Sequence, residues 1–81
     1  MKKRYEGDQL PSDSRQAREE VARQMKRLRK DCHMTQQALA DRAQTQKSNI
    51  SRMESGRYNP TLDFMVKIAG SMGKEIHIII E

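Results

Sequence analysis

Apolar residues recur at helical spacing in the first half of the chain. Between residues 15 and 31 they lie three or four positions apart, which predicts one face of an amphipathic helix. This face consists of Ala17, Val21, Met25, Leu28 and Cys32. Asp13 and Ser14 are residue types that cap helix N-termini, so we expect the helix to begin near Arg15.

Two shorter amphipathic stretches follow, and a polar turn separates them. Thr35 is a suitable N-cap for a second helix over residues 36–43, and residues 44–46 form the turn. A third helix is predicted over residues 47–55, where Gly56 ends it. The inward-facing residues of the two helices are Ala38, Leu39, Ala43, Ile50 and Met53.

A fourth helix and a C-terminal strand complete the predicted elements. Thr61 can cap a helix over residues 62–72, the most apolar of the set, and Gly73 ends it. Residues 75–81 are rich in β-branched side chains that alternate along the chain, which predicts a strand. The apolar residues of the fourth helix are Leu62, Met65, Val66, Ile68, Ala69 and Met72, and the alternating residues of the strand are Ile76, Ile78 and Ile80.

The predicted strand has no second strand in the chain to pair with. A lone strand leaves its backbone donors and acceptors unsatisfied, and an exposed apolar edge aggregates. Pairing with the same strand of a second copy removes both problems and produces a two-fold symmetric homodimer. We therefore expect residues 74–81 to be a dimerisation strand.

Length and charge limit the classes of function. The chain has 81 residues, which suffices for one domain. We divide it into a flexible basic arm over residues 1–13, a helical domain over residues 14–73 and the dimerisation strand over residues 74–81. The net charge is +5, and ten of the sixteen Lys and Arg lie in residues 1–30. This surplus favours an anionic partner such as a nucleic acid.

Catalysis, membrane insertion and metal binding have little support in the sequence. No Ser-His-Asp arrangement, paired-acid site or phosphate loop is present, so we expect no enzyme. No stretch approaches the ~20 apolar residues of a membrane span, and a single cysteine cannot form an intrachain disulfide, so we expect a cytoplasmic protein. Cys32, His33 and His77 lack metal-ligand spacing, so we expect no metal and no cofactor.

The two short central helices form a pattern typical of DNA recognition. A three-residue turn joins them, and the second is polar on its outer face, as in a helix-turn-helix. The sequence resembles the phage-repressor (Cro/CI, XRE) helix-turn-helix family over about residues 18–73. The resemblance rests on TQQALA at 35–40, NISRMESG at 49–56, NPTL at 59–62 and KIA at 67–69.

This resemblance implies specific roles for residues of the chain. The third helix becomes the recognition helix, whose side chains read base edges in the major groove of double-stranded DNA. The implied base-reading residues are Gln46, Lys47, Ser48, Asn49, Ser51 and Arg52. The implied phosphate contacts are Gln36, Arg57, Tyr58 and Asn59. Arg29 and Glu54 correspond to an ion pair that, in this family, ties the first helix to the third.

The turn departs from the family pattern. A small residue, often Gly, is usual where this chain has Gln44, so we expect either a positive φ at Gln44 or an adjusted turn. Thr45 stands where an apolar residue is common, and Gln46 stands where Ser or Thr usually caps the recognition helix. These departures weaken the turn locally.

The expected fold is all-α, with four or five short helices, a central helix-turn-helix as in a lambda-repressor-like DNA-binding domain, and a C-terminal β-strand that pairs across a dimer. The expected function is that of a sequence-specific, double-stranded-DNA-binding transcriptional regulator, a repressor that acts as a homodimer. The alternative is an antitoxin that binds a toxin protein and represses its own operon. Some Hip-type antitoxins are similar in having a short pairing strand after the same helical domain.

Overall fold

The computed structural model describes the backbone of residues 9–81 and the side chains of residues 14–81. Four helices occur in this part of the chain: α1 (Gln9–Asp31), α2 (Gln36–Arg42), α3 (Lys47–Ser55) and α4 (Leu62–Ser71). The all-helical character predicted from the sequence is confirmed for the described residues. Residues 1–8, which make up much of the predicted arm, lie outside them.

The first helix begins earlier than the sequence indicates. It starts at Gln9 instead of Arg15, so Asp13 and Ser14 lie inside the helix and do not cap it. Pro11 falls in the first turn, where backbone N–H groups have no acceptor within the helix, so the missing proline donor is tolerated there. Residues 9–13, which we assigned to the arm, are helical in this structure.

Threonine side chains cap α2 and α4 as predicted. Oγ1 of Thr35 accepts a hydrogen bond of 3.0 Å from the backbone N–H of Ala38. Oγ1 of Thr61 accepts a hydrogen bond of 3.0 Å from the backbone N–H of Phe64. Each bond satisfies a donor that the helix itself leaves free, which is worth about 1 kcal/mol.

The core is small and aliphatic, and it lies where the helices converge. Leu39 of α2, Ile50 of α3 and Ile68 of α4 are fully buried at its centre. The other buried members of this cluster are Met25, Ala40, Ala43, Met53, Ala69 and Met72. Because α2 packs closely on α3 and α1 packs across α3, the third helix is held from two sides.

The buried face of α1 is offset from the predicted one. Met25 is buried as predicted, and Val21 and Leu28 pack partly against the core. Among the described side chains of α1, Ala22 and Arg29 are also buried, whereas the predicted Ala17 and Cys32 are exposed. The offset arises because a charged residue, Arg29, lies within the buried face. A buried charged residue leaves no trace in the spacing of apolar residues.

Smaller errors of the same kind occur in α2 and α4. In α2 Ala40 is buried beside Leu39, whereas the predicted Ala38 is exposed. In α4 the side chains of Leu62 and Val66 are 48% and 51% exposed. These two residues are four positions apart, so they form an apolar surface on the outside of α4.

The C-terminal segment forms no strand in the single chain described. Residues 74–81 have neither helical nor strand structure, because no segment of residues 9–81 pairs with them. Ile76 packs partly against the core, but Ile78, Ile79 and Ile80 are 63%, 79% and 93% exposed. Pairing of this segment between two copies stays a prediction.

The described residues contain neither a membrane-spanning helix nor a cluster of metal-ligand side chains. None of the four helices is long and apolar enough to cross a membrane. Within the same part of the chain, no three His, Cys, Asp or Glu side chains gather as metal ligands.

Two glycines provide a matched stability test. Gly56 ends α3 with a φ of +74°, and a Cβ there would lie 3.3 Å from the Cα of Glu19. We expect Gly56→Ala to lower the free energy of unfolding by about 1–2 kcal/mol. Gly70 lies inside α4, and no atom lies within 4 Å of a Cβ added there. Gly70→Ala should therefore raise the free energy of unfolding by about 0.5–1 kcal/mol. Urea unfolding followed by circular dichroism checks both values, and equal stability of the two variants would contradict the prediction.

Candidate nucleic-acid interface

The turn between α2 and α3 adopts the strained conformation expected from its sequence. Gln44 has a φ of +56°, in the left-handed region that the usual glycine occupies easily. The backbone N–H of Thr45 donates to the carbonyl oxygen of Ala40 at 2.9 Å, which closes the turn. Gln46 is the N-cap of α3 but makes no side-chain capping bond. The turn is therefore formed despite the unusual residues Gln44 and Gln46.

The third helix has one buried face and one polar, exposed face. Ile50 and Met53 point into the core and are 0% and 3% exposed. Lys47, Ser48, Ser51 and Arg52, which we predicted to read bases, are all exposed, as is Gln46. A helix of nine residues is about 14 Å long, which suits insertion into a groove about 12 Å wide.

Asn49 differs from the other predicted base-reading residues. It is half-buried, and its side-chain Nδ2 donates a hydrogen bond of 2.9 Å to Oγ1 of Thr45. This bond joins the start of α3 to the loop between α2 and α3. It does so at a helix N-terminus that has no side-chain capping bond. The structure therefore gives Asn49 a role in holding the turn, and its Oδ1 has no hydrogen bond to another described residue.

A buried ion pair fixes the back of α3 to α1. Nε of Arg29 lies 2.7 Å from Oε2 of Glu54, and Nη2 lies 3.0 Å from Oε1, so the contact is bidentate. The two side chains are only 9% and 3% exposed. The hydrogen bond to Glu54 raises the pKa of Arg29 above its ordinary value, the charge of Glu54 adds to this, and burial opposes it. Arg29 is therefore charged at any working pH.

The same cluster reaches α2 and the loop before it. Nη1 of Arg29 donates 2.7 Å to the carbonyl oxygen of Met34, in the connection between α1 and α2. Nε2 of Gln36, the first residue of α2, donates 3.1 Å to Oε1 of Glu54. One guanidinium and one carboxylate thus join α1, α2 and α3.

The side chain of Gln36 bonds to Glu54 and is also a predicted phosphate contact. We predicted a phosphate contact for it, but its amide nitrogen donates to Glu54 and its side chain is half-buried. The backbone N–H at the start of α2 has no acceptor within the helix. A phosphate contact at this position would therefore use the backbone N–H or the second amide hydrogen.

The loop after α3 brings its three predicted phosphate contacts to the same end of the helix. Arg57, Tyr58 and Asn59 are all exposed. Ser55 shapes this loop, because its Oγ donates 2.7 Å to the carbonyl oxygen of Arg52 and accepts 3.2 Å from the N–H of Arg57.

The exposed charges of this region are positive. Residues 46–59 contain the cations Lys47, Arg52 and Arg57 and a single acid, Glu54. Glu54 is buried against Arg29, so it contributes little negative potential to the outer surface. An anion that approaches the outer face of α3 therefore meets cations and neutral donors.

The sequence did not indicate the supporting roles of Thr45 and Ser55. The hydroxyl of Thr45 accepts a hydrogen bond from the side chain of Asn49. The hydroxyl of Ser55 bonds to the backbone of Arg52 and Arg57. Hydroxyl side chains bond often to nearby backbone and polar groups at helix ends, which is the only signal that could have identified them.

A pair of short helices packed at a tight turn, with a polar and cationic outer face on the second, defines the helix-turn-helix class of domain. The sequence profile of the Helix-turn-helix family matches residues 25–79, and the chain belongs to that family. Two relatives confirm the resemblance to phage-repressor-type members seen in the sequence.

Two curated relatives are similar to part of the chain. The chain is 33% identical over 60 residues to the immunity repressor protein of Bacillus phage phi105, covering 74% of this chain and 42% of the repressor. It is 38% identical over 47 residues to an uncharacterized HTH-type transcriptional regulator of Methanothermobacter thermautotrophicus, covering 58% of this chain and 68% of that protein. The chain thus spans less than half the length of the phage repressor. No solved structure matches the chain significantly.

Proposed function

We propose that this chain binds double-stranded DNA in a sequence-specific manner and acts as a transcriptional repressor. The observation that carries the proposal is the two-faced character of α3. Its inner face is fixed by Ile50, Met53 and the buried Arg29–Glu54 pair, and its outer face is polar and cationic. The names of the two relatives, a phage immunity repressor and a transcriptional regulator, support the same proposal.

In the proposed mechanism, different residues provide affinity for DNA and sequence specificity. Arg57 and the N-terminus of α2 contact phosphates on either side of α3 and set its register in the major groove. Lys47, Ser48 and Arg52 then offer donors to base edges, with lysine and arginine favouring guanine. A bound repressor occludes the promoter, so no catalytic group is required.

Two copies are proposed to bind together as a homodimer. The exposed isoleucines of residues 78–80 and the apolar surface of Leu62 and Val66 support this arrangement, because a monomer would leave both in water. Two recognition helices would then enter half-sites about 34 Å apart, or a multiple of that spacing.

The antitoxin hypothesis adds a protein partner to the same DNA-binding surface. It predicts that a toxin protein binds a face away from α3. No contact in the structure favours it over a repressor without such a partner, so it stays the alternative.

The proposed function is tested with purified protein and two duplexes of equal length and base composition. One comes from the DNA upstream of the gene for this chain, and the other is its scrambled version. We expect at least a hundredfold preference for the native duplex at near-physiological salt, with affinity for both falling as salt rises. Equal, salt-sensitive binding to both duplexes would contradict sequence-specific recognition.

A further inference from the structure

One contact on the outer face of α3 goes beyond the roles described so far. The guanidinium carbon of Arg52 lies 5.2 Å from the centroid of the Tyr58 ring. This distance is within the range of a cation–π interaction. We had assigned Tyr58 to phosphate and Arg52 to a base edge, yet the structure places the two side chains against each other.

The backbone geometry between them makes this contact specific. Gly56 ends α3 in the left-handed conformation and lies close to Glu19 of α1, which fixes where the chain leaves the helix. Ser55 links the carbonyl oxygen of Arg52 to the N–H of Arg57. The chain therefore turns back within a few residues and brings Tyr58 alongside the last turn of α3.

The contact leaves the hydrogen-bonding capacity of Arg52 available. A ring face attracts the cation without using any N–H donor, and an arginine guanidinium carries five of them. Within residues 14–81, no carboxylate pairs with Arg52, and its only hydrogen bond is accepted by its backbone carbonyl. An exposed arginine normally samples many rotamers, and ordering one on binding costs about 0.5–1.5 kcal/mol. A ring at this distance removes part of that freedom beforehand.

We propose that Tyr58 is a positioning residue that holds Arg52 for a bidentate contact with a guanine in the major groove. The inference rests on the proposed function, because it assumes that α3 enters the groove. The preference for guanine at one base pair then depends on Tyr58, which lies outside the recognition helix and acts through Arg52. The phenol oxygen of Tyr58 is not required, since the ring face alone contacts the guanidinium.

The contact is tested first in the free protein. The ring current of Tyr58 should shift the δ protons of Arg52 upfield in the NMR spectrum of the wild type and of Tyr58→Phe, and the shift should be absent in Tyr58→Ala. An unshifted Arg52 in the wild type would overturn the proposal without any reference to DNA. Tyr58 is 52% exposed, so these variants should retain the fold, which their thermal unfolding verifies.

The second arm uses the duplex that the wild type prefers, with each guanine replaced in turn by 7-deazaguanine, which lacks the N7 acceptor. We expect one replacement to weaken wild-type and Tyr58→Phe binding about tenfold. Arg52→Ala and the double variant Arg52→Ala/Tyr58→Ala should be insensitive to it, and Tyr58→Ala should lose most of the sensitivity. Additive losses in the double variant, or a uniform loss for Tyr58→Ala at every duplex, would overturn the proposal. A wild type that prefers no duplex would instead overturn the proposed function.

Discussion

Replacing Glu54 with alanine should destabilise this domain more than any single substitution on its surface. The substitution leaves the Arg29 guanidinium buried without its carboxylate, and it also removes the acceptor of Gln36. Breaking a buried pair in this way costs about 3 kcal/mol or more, because the remaining charge has no compensation. In a domain of this size we expect the melting temperature to fall by more than about 10 °C.

The matched control for this variant is Glu20→Ala. Glu20 pairs with Arg23 on the exposed side of α1, where both side chains are at least half exposed. Such a surface pair contributes less than about 1 kcal/mol, so the control should unfold nearly as the wild type does. Calorimetry or circular dichroism on both variants gives the comparison. If Glu54→Ala melts within 2 °C of Glu20→Ala, the ion pair does not hold α3 in place.

Removing residues 78–81 should convert a dimer into a monomer. This truncation deletes the three exposed isoleucines but leaves Ile76, which packs partly against the core. Analytical ultracentrifugation should give twice the mass of the chain for the full sequence and the mass of one chain for the truncated one. Affinity for a two-half-site duplex should fall by about 10²-fold or more, since the second contact is no longer intramolecular.

A chain shortened only by Glu81 is the control for the truncation, because it retains every isoleucine. It should sediment as the full chain does. A full-length monomer, or a truncated dimer of unchanged affinity, would contradict the assignment of this segment to dimerisation.

Local rules predicted the parts of the fold that depend on a few neighbouring residues. Thr35, Thr61 and Gly56 were recognised as helix ends because capping depends on the residue type and on its immediate neighbours. The resemblance to the family, in which a small residue is usual at this position, left either a positive φ at Gln44 or an adjusted turn, and the structure has the positive φ. The two-faced pattern of α3 also identified Ile50 and Met53 correctly.

Other features could not be predicted because they depend on contacts between distant parts of the chain. The burial of Arg29 shifts the inward face of α1, and residue type alone assigns arginine to the surface. Asn49 was treated as a free base-reading residue, although its side chain bonds to Thr45. The early start of α1 could not be predicted because residues 9–14 are mostly polar and show no helical spacing of apolar residues.

The central claim is that the outer face of α3 reads DNA sequence. The most direct test compares Lys47→Ala/Arg52→Ala with Lys26→Ala/Lys30→Ala, whose lysines are exposed on α1. Both double variants lose two positive charges, so non-specific attraction falls similarly in each. We predict that the α1 variant keeps its preference for the native duplex over the scrambled one and that the α3 variant loses it. Equal preference in the two variants would contradict the claim.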